Sequence, residues 1–401
     1  MPKLKRELGL FRVTLAGVGV ILGAGIYALI GVAAGKAGNA TWLAFLISAF
    51  IALFTGLSYA ELSSMFRGDS GEYHYVTKAL NKKFAWFIGI SVIMASVITC
   101  ATVSLGFAGY FTSLLSLPFI LATVLVLALM ATINFLGIKE SSWFNAVATF
   151  IEFTGLVLII IFGISHIGSV NYLEMPNGFF GVFSSAALIF FAFLGFENII
   201  KLSEETKNPQ KTIPKAILLS IAITSVLYVL VAISAVSVVG WDALSQSVAP
   251  LALVAQTALG TLSGVVLAII ALFSTSNTIL VSMLTSSRQV YGMAKEKGLP
   301  KVFASVHENT RTPWLAIILV MVLAMLFSLI GEIETVASIT NLFLFITFGS
   351  VNLSLMILRY KMPKRKRYFT CPGRIGKLAL IPLFGFLSSI VMIVFILINL
   401  L

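Results

Sequence analysis

Four glycines, Gly17, Gly19, Gly23 and Gly25, fall within the stretch GVGVILGAGIY, Gly17 to Tyr27. They lie inside an apolar run, from about Phe11 to Ala34, that is long enough to cross a bilayer as a helix. Glycine is a poor helix former, and an unpaired amide in hydrocarbon costs several kcal/mol. The spacing predicts either a small-residue stripe for close helix packing or a break in the helix at membrane depth. A break would free amides that can hold a carboxylate and carbonyls that can hold an ammonium. Carboxyls also sit inside apolar runs, among them Glu152 and Glu197. A carboxylate at that depth costs about 2.5–3.5 kcal/mol on insertion scales, so each must be paired, solvated or protonated. Glu152 falls near the middle of its run, and no Lys or Arg lies at comparable depth. It can load and unload a proton or, with Ser274, Thr275, Ser276 and Asn277, hold a cation; the plain alternative is a carboxyl hydrogen-bonded to a neighbouring helix.

Composition sets the class. The 401 residues are 59% hydrophobic and only 10% charged, whereas soluble domains carry about 25% charged residues. This is the profile of a polytopic membrane protein with no large soluble domain. The basic N-terminus, MPKLKRELGLFR, leads straight into the first apolar run. That run is too long for a signal-peptide core and has no small-residue cleavage site after it, so it is expected to remain. Enzyme motifs are absent: there is no G-x-S-x-G and no H-E-x-x-H. GVAAGKAG resembles a phosphate loop only faintly, since Gly31 and Gly35 are one residue too close and Ala37 stands where Ser or Thr is needed. His74, His166 and His307 fall in loops, so neither a metal cluster nor any cofactor is implied. Cys100 in a span and Cys371 in a basic loop imply no disulfide framework.

Apolar runs mark eleven spans, at about 11–34, 41–66, 84–115, 118–138, 142–165, 179–202, 214–239, 259–288, 313–331, 334–358 and 378–400. Of the 27 Lys and Arg residues, all but Lys36 fall on one side of this arrangement. The positive-inside rule then puts the N-terminus in the cytoplasm and, with eleven spans, Leu401 outside the cytoplasmic membrane. It also removes nucleic acid as a partner, because the +12 net charge is a topology signal. The cluster Lys364–Arg367 reads as an anionic-lipid contact. Glu61, near the cytoplasmic end of span 2, is expected to pair with the basic loops beside it.

Five spans is an odd number, so a second five-span unit would sit upside down. Span 6, FSSAALIFFAFLGFENIIKLSEE, has Gly195 in its middle and Glu197 beside it. Interrupted spans at corresponding positions of two halves point to a transporter site at the midplane. The prediction is two inverted repeats, residues 11–165 and 179–358, with broken spans 1 and 6 facing each other and an additional span at 378–400.

Four stretches carry a family resemblance over nearly the whole chain: VILGAGIY, YAELSSMFRGDSGEYHYV, FFAFLGFENIIKLSEETKNPQKTIP and SSRQVYGMAKEKGLPKVFASVHENTRTP. The chain resembles the amino acid permeases of the amino acid–polyamine–organocation superfamily. The resemblance implies an all-α, leucine-transporter-type fold of ten core helices in two inverted repeats. The family usually adds two further helices, and this chain has room for one.

The resemblance also implies roles. The Gly23, Ala24 and Gly25 amides would bind the substrate carboxylate. The carbonyls around Val20, Ile21 and Leu22 would face its ammonium. Phe191, Phe193, Leu194 and Gly195 stand where the family places an aromatic gate and substrate-facing backbone, although ordinary core packing is the alternative for any one Phe. Thr99 and Cys100 are read as lining the side-chain pocket. Glu197 corresponds to a glutamate that similar permeases use in proton sensing; holding the unwound segment is its structural alternative. Some sodium-independent relatives place a lysine in span 5 that replaces a sodium ion, and this chain has Glu152 near there. The expected activity is secondary transport of amino acids by alternating access, coupled to protons or another ion. Exchange, polyamine transport and non-transporting sensing are the competing readings.

Overall fold

The computed structural model describes residues 6–66, 71–375 and 378–400. Lys3, Lys5, Arg67, Lys377 and Leu401 lie outside them. The described residues are almost entirely helical: α1 (Leu10–Leu22), α2 (Gly25–Ala37), α3 (Thr41–Met65), α4 (Glu72–Ala79), α5 (Lys82–Leu114), α6 (Phe119–Leu136) and α7 (Ile138–Gly163) are followed by α8 (Gly178–Ile189), α9 (Pro209–Gln246), α10 (Pro250–Leu259), α11 (Thr261–Lys295), α12 (Trp314–Ser328), α13 (Ile333–Lys361) and α14 (Leu380–Leu400). A two-residue antiparallel pair, Arg374–Ile375 with Leu378–Ala379, precedes α14. Among the described residues, nine helical runs are long and apolar enough to cross a membrane, one of them joining α2 to α3. Paired with α1, the α2 part of that run makes span 1; α12 is a shorter apolar helix of 15 residues in the place of span 9.

Helix ends follow local chemistry. The Asn81 side chain accepts a bond from the Phe84 amide at 2.8 Å and caps α5. Pro209 and Pro250 open α9 and α10, where a missing N–H costs nothing. Inside the spans, hydroxyls turn back on their own helix, as Thr99 does to the Ala95 carbonyl at 2.8 Å and Thr123 to that of Phe119 at 3.0 Å. Two elements were not expected from the sequence. The short helix α4 occupies the loop after span 2, and α10 packs against α11 and α9. Span 7 is also longer than expected and bends at Gly240, where φ is +75°.

The core is built by α3 on α9, α5 on α11 and α13, and α1 on α9. The apolar faces left over, such as Leu121, Leu125 and Leu129 of α6, are exposed as lipid-facing helices require. On the basic-loop side, Glu61 is fully buried. It pairs with the Arg359 guanidinium through Nε at 3.0 Å and through Nη2. Arg367 Nε stands 3.1 Å from Oε1, the oxygen that also meets Arg359 Nε, and the Cys371 amide donates to Oε2 at 2.8 Å. Glu61 therefore meets the basic segment as expected, and it clamps the chain after α13 onto α3. The lipid-contact reading of Lys364–Arg367 is divided by this geometry. Arg365 donates to the Met65 carbonyl at 3.2 Å and Arg367 faces Glu61, while Lys364 and Lys366 stay exposed. Removing one partner of a buried ion pair leaves an uncompensated charge, at a cost of about 3–5 kcal/mol. Glu61→Ala is expected to lose stability of that order, seen as a fall of the unfolding midpoint in detergent; an unchanged midpoint would refute the clamp.

Candidate functional site

Span 1 does break where its glycines concentrate. Helix α1 ends at Leu22, Gly23 takes a non-helical conformation (φ −3°, ψ −175°), and α2 restarts at Gly25. Span 6 breaks too. Helix α8 tightens into a 3₁₀ turn over Phe190–Phe193, the chain extends at Leu194, and Gly195 sits at φ +118° before a second 3₁₀ segment, Phe196–Glu204. A side chain at Gly195 would be strained by that φ, and its Cβ would stand 2.7 Å from the Val20 carbonyl oxygen. A Cβ on Gly25 would stand 2.5 Å from the Ala192 Cα. The two breaks are thus in backbone contact, and glycine is what permits it.

Released backbone groups find partners in three places. The Ala24 amide donates to Thr278 Oγ1 of α11 at 2.8 Å. The Gly195 amide donates to Glu197 Oε2 at 2.9 Å, and Asn198 Nδ2 donates to Glu197 Oε1 at 3.0 Å. The third partner is Tyr228 of α9. Its hydroxyl lies 2.8 Å from the Ile21 carbonyl, 3.1 Å from that of Leu22 and 3.0 Å from that of Ala192. One O–H therefore joins the end of α1 to the first half of span 6.

A cavity of about 110 Å³ adjoins both breaks. Span 1 contributes Val20, Ile21 and Gly23–Gly25, and span 6 contributes Phe191, Leu194, Gly195 and Glu197. Further wall comes from Ala95, Ser96 and Thr99 of α5, Asn277, Thr278 and Val281 of α11, and Leu344, Thr347 and Phe348 of α13, with Asn145 of α7 and Lys201 also facing the space. A second cavity of about 720 Å³ shares Glu72, Val92 and Gln289 with the first and reaches Lys82, Lys83 and Lys297. The breaks are therefore approached from the face that carries the basic loops.

The opposite face is closed. Lys36 Nζ pairs with Glu334 at 2.6 Å and also reaches Asn399 Oδ1 at 3.3 Å. Glu174 accepts from Asn39 Nδ2 at 2.7 Å and from Trp241 Nε1 at 3.0 Å. Deeper in, the Tyr110 hydroxyl donates to the Tyr27 carbonyl at 2.9 Å, and it accepts from the Leu251 amide of α10 at 3.3 Å.

Some residues singled out from sequence do not reach the cavity. Cys100 is fully buried and its Sγ faces the Ile279 carbonyl at 3.7 Å, so Thr99 and not Cys100 lines the wall. Phe193 packs against Tyr228, with ring centroids 5.4 Å apart. Leu22 offers its carbonyl to Tyr228. The span 8 set divides as well. Ser274 donates to Glu152 Oε2 at 3.0 Å, Thr275 bonds back to the Ala271 carbonyl at 2.7 Å, Ser276 is buried away from the cavity, and Asn277 lines it. Glu152 itself is fully buried behind α11, and its Oε1 has no hydrogen-bond partner. These four α11 residues do not converge on Glu152 as one cation site, because successive residues point about 100° apart around a helix. Of the histidines, His74 lies in α4 and is held below the usual imidazole range by partial burial and by Lys78 and Arg365. No group of three or more His, Cys, Asp or Glu that could hold a metal occurs among the described residues.

Thr278 and Tyr228 were missed by sequence reasoning. Both are ordinary residue types in apolar spans, and nothing in their local sequence marks them.

Comparison with known proteins agrees with this geometry. A family model described as "Amino acid permease" matches residues 8–400. The branched-chain amino acid permease BcaP of Bacillus subtilis is 32% identical over 92% of this chain and 84% of its own length. The methylthioribose transporter of the same organism is 30% identical over the same shares. A vacuolar cationic amino acid transporter of Arabidopsis thaliana is 27% identical over 90% of this chain and 64% of its own length.

Close approach of the two breaks is testable at Gly25. Overpacking typically costs 1–3 kcal/mol, and about 1.4 kcal/mol is tenfold in an equilibrium. Gly25→Ala is expected to reduce uptake by about tenfold or more, whereas Gly9→Ala, with nothing within 4 Å of its Cβ, should leave uptake unchanged.

Proposed function

Because the chain belongs to the amino acid permease family, we propose that it carries amino acids across the cytoplasmic membrane by alternating access, driven by a proton. The protein is a multi-pass membrane transporter and not an enzyme. The observation that carries the reading is the single cavity shared by two broken helices in backbone contact. The start of α2 presents its positive end to an anion there, and the ends of α1 and of the Phe190–Phe193 turn present carbonyls. A zwitterion of one carboxylate and one ammonium matches that pair of ends.

On this reading, residues 11–165 and 179–358 form the two inverted repeats. The N-terminus lies in the cytoplasm, so the observed cavity is open inward and the Lys36–Glu334 side is the outer closure. The walls on α5, α11 and α13 near the breaks carry apolar, hydroxyl and amide side chains and no charged one, which favours a neutral side chain. A polyamine would need a carboxylate on those three walls; the carboxyls that do line the cavity, Glu197 and Glu72, lie on other elements, where each already accepts a hydrogen bond, from the Gly195 amide and the Tyr59 hydroxyl, and Glu152 stands outside it.

Glu152 is the group assigned to the proton. It is buried, has one carboxyl oxygen without a partner, and is held by Ser274 on the helix that also forms the cavity wall. Protonation there would exchange an acceptor for a donor against α11. Glu197, bonded to the Gly195 amide, holds the second break and gates it.

The test is uptake of labelled neutral amino acids into proteoliposomes with and without an inward proton gradient. Accumulation that requires the gradient and is abolished by an ionophore is expected. Uptake only into vesicles preloaded with amino acid would make the protein an exchanger instead. Glu152→Gln, which cannot ionise, should give a flat pH profile of uptake; a profile like that of the wild type would remove Glu152 as the proton carrier.

A further inference from the structure

We propose that two neighbouring residues of α11, Thr278 and Asn277, read the two charged ends of the bound amino acid: Thr278 donates its hydroxyl proton to the carboxylate, and Asn277 accepts a hydrogen bond from the ammonium. The inference rests on the amino acid reading above and adds side-chain ligands from span 8 to the backbone groups of spans 1 and 6.

The argument for Thr278 is one of hydrogen-bond capacity. A threonine hydroxyl has one proton to give and two lone pairs to receive with. Most buried helix hydroxyls in this protein spend that proton on their own helix, as Thr99, Thr102, Thr275, Thr340 and Thr347 do. Thr278 is bonded differently. Its Oγ1 accepts from the Ala24 amide of span 1, and its own proton has no acceptor among the described residues. The residue lines the cavity beside Gly23, Ala24 and Gly25, where an anion would meet the start of α2. The Ala24 amide polarises the hydroxyl it bonds to, so the proton is presented to an anion with reinforced strength.

Asn277 supplies the second, independent observation. It is 4% exposed, lines the same cavity, and its Oδ1 is buried without a partner. Its Nδ2 makes only a long contact, 3.4 Å, to Thr149 Oγ1. A buried carbonyl oxygen left unpaired costs about 1–3 kcal/mol, so a site that keeps one has a donor to receive. An ammonium carries three such donors. The carbonyls at the end of α1 are already partly engaged, because Ile21 and Leu22 share the Tyr228 proton, which leaves a gap for a further acceptor. A free asparagine oxygen on the adjacent wall fills that gap.

The two roles separate by ligand. L-Leucine carries both charges, isoamylamine lacks the carboxylate and α-hydroxyisocaproate lacks the ammonium. Their affinities are measured on purified full-length protein by concentration-dependent thermal stabilisation, after a screen confirms L-leucine or substitutes the neutral amino acid that stabilises wild type most, with its own two analogues. A hydrogen bond to a charged group is worth about tenfold or more in affinity. Thr278→Val is expected to weaken leucine and the hydroxy acid by about that factor and to leave the amine within about twofold, and Thr278→Ser should restore all three. Asn277→Leu should weaken leucine and the amine while sparing the hydroxy acid. Asn277→Asp, which can only accept, should bind the amine at least as well as wild type. Equal weakening of all three ligands, unchanged leucine affinity, or a loss of amine binding in Asn277→Asp would overturn the assignment while leaving the amino acid reading intact. A wild-type protein stabilised by no amino acid would fail that reading first, and the inference with it.

Discussion

Two helices stop partway through an apolar slab, and every backbone group released there must find a partner without water. That requirement organises the rest of the molecule. The partners come from elements that run unbroken past the breaks. Helix α9 supplies Tyr228, whose single hydroxyl faces three carbonyl oxygens from both broken spans. Helix α11 supplies Thr278 to the Ala24 amide. At span 6 the break is closed locally, by the Glu197 carboxylate two residues beyond Gly195. A hydroxyl shared among three acceptors is only partly committed to each, which suits the shift of half-helices that the proposed alternating access requires.

The two faces of the protein are held by different kinds of interaction. On the basic side, residues before α1 join the chain after span 6: the Glu7 and Leu8 amides both reach the Glu205 carbonyl at 3.0 Å, and the Lys207 amide reaches that of Leu8 at 2.9 Å. The ends of the two broken spans nearest that face are thereby tied to each other and can move as one piece. The Glu61 cluster fastens a separate pair, α3 and the segment after α13. On the opposite face, closure rests on half-exposed polar contacts, Lys36 with Glu334 and Glu174 with Asn39 and Trp241. Partly exposed contacts of this kind are individually weak, as the alternating access proposed above would require of a closure.

Charge is placed with similar economy. Glu152 is set behind the cavity wall; its carboxyl accepts from Ser274, and its backbone carbonyl accepts from the Tyr27 hydroxyl at 2.6 Å. Tyr27 belongs to α2 and Ser274 to α11, so Glu152 meets the broken span through its backbone and the wall that frames it through its carboxyl. On the proposed reading, a change in its protonation would alter the Ser274 contact without the proton and the amino acid competing for one space.

Much of this was legible in the chain alone. Eleven apolar runs gave the spans, because burial in lipid demands continuous hydrophobicity. Gly23, Gly25 and Gly195 marked the breaks, because only glycine tolerates the backbone approach and the positive φ found there. Glu61 was legible as a partner of the basic loops from its depth and their charge. What only the tertiary structure decided was which way each side chain looks. A soluble helix announces its inner face by alternating polar and apolar residues, but a spanning helix is apolar on the face toward lipid as well as toward protein, so the periodic signal fades. Nothing in TCATV distinguishes Thr99, which lines the cavity, from Cys100, which turns to the Ile279 carbonyl. In STSNT, Ser274 turns to Glu152 while Asn277 and Thr278 enter the cavity, a division set by the rotation of α11 against its neighbours. Tyr228 could be no more than one aromatic among many until α9 was packed across both breaks, because a hydroxyl's role is defined by acceptors that lie 36 or more residues away in the chain.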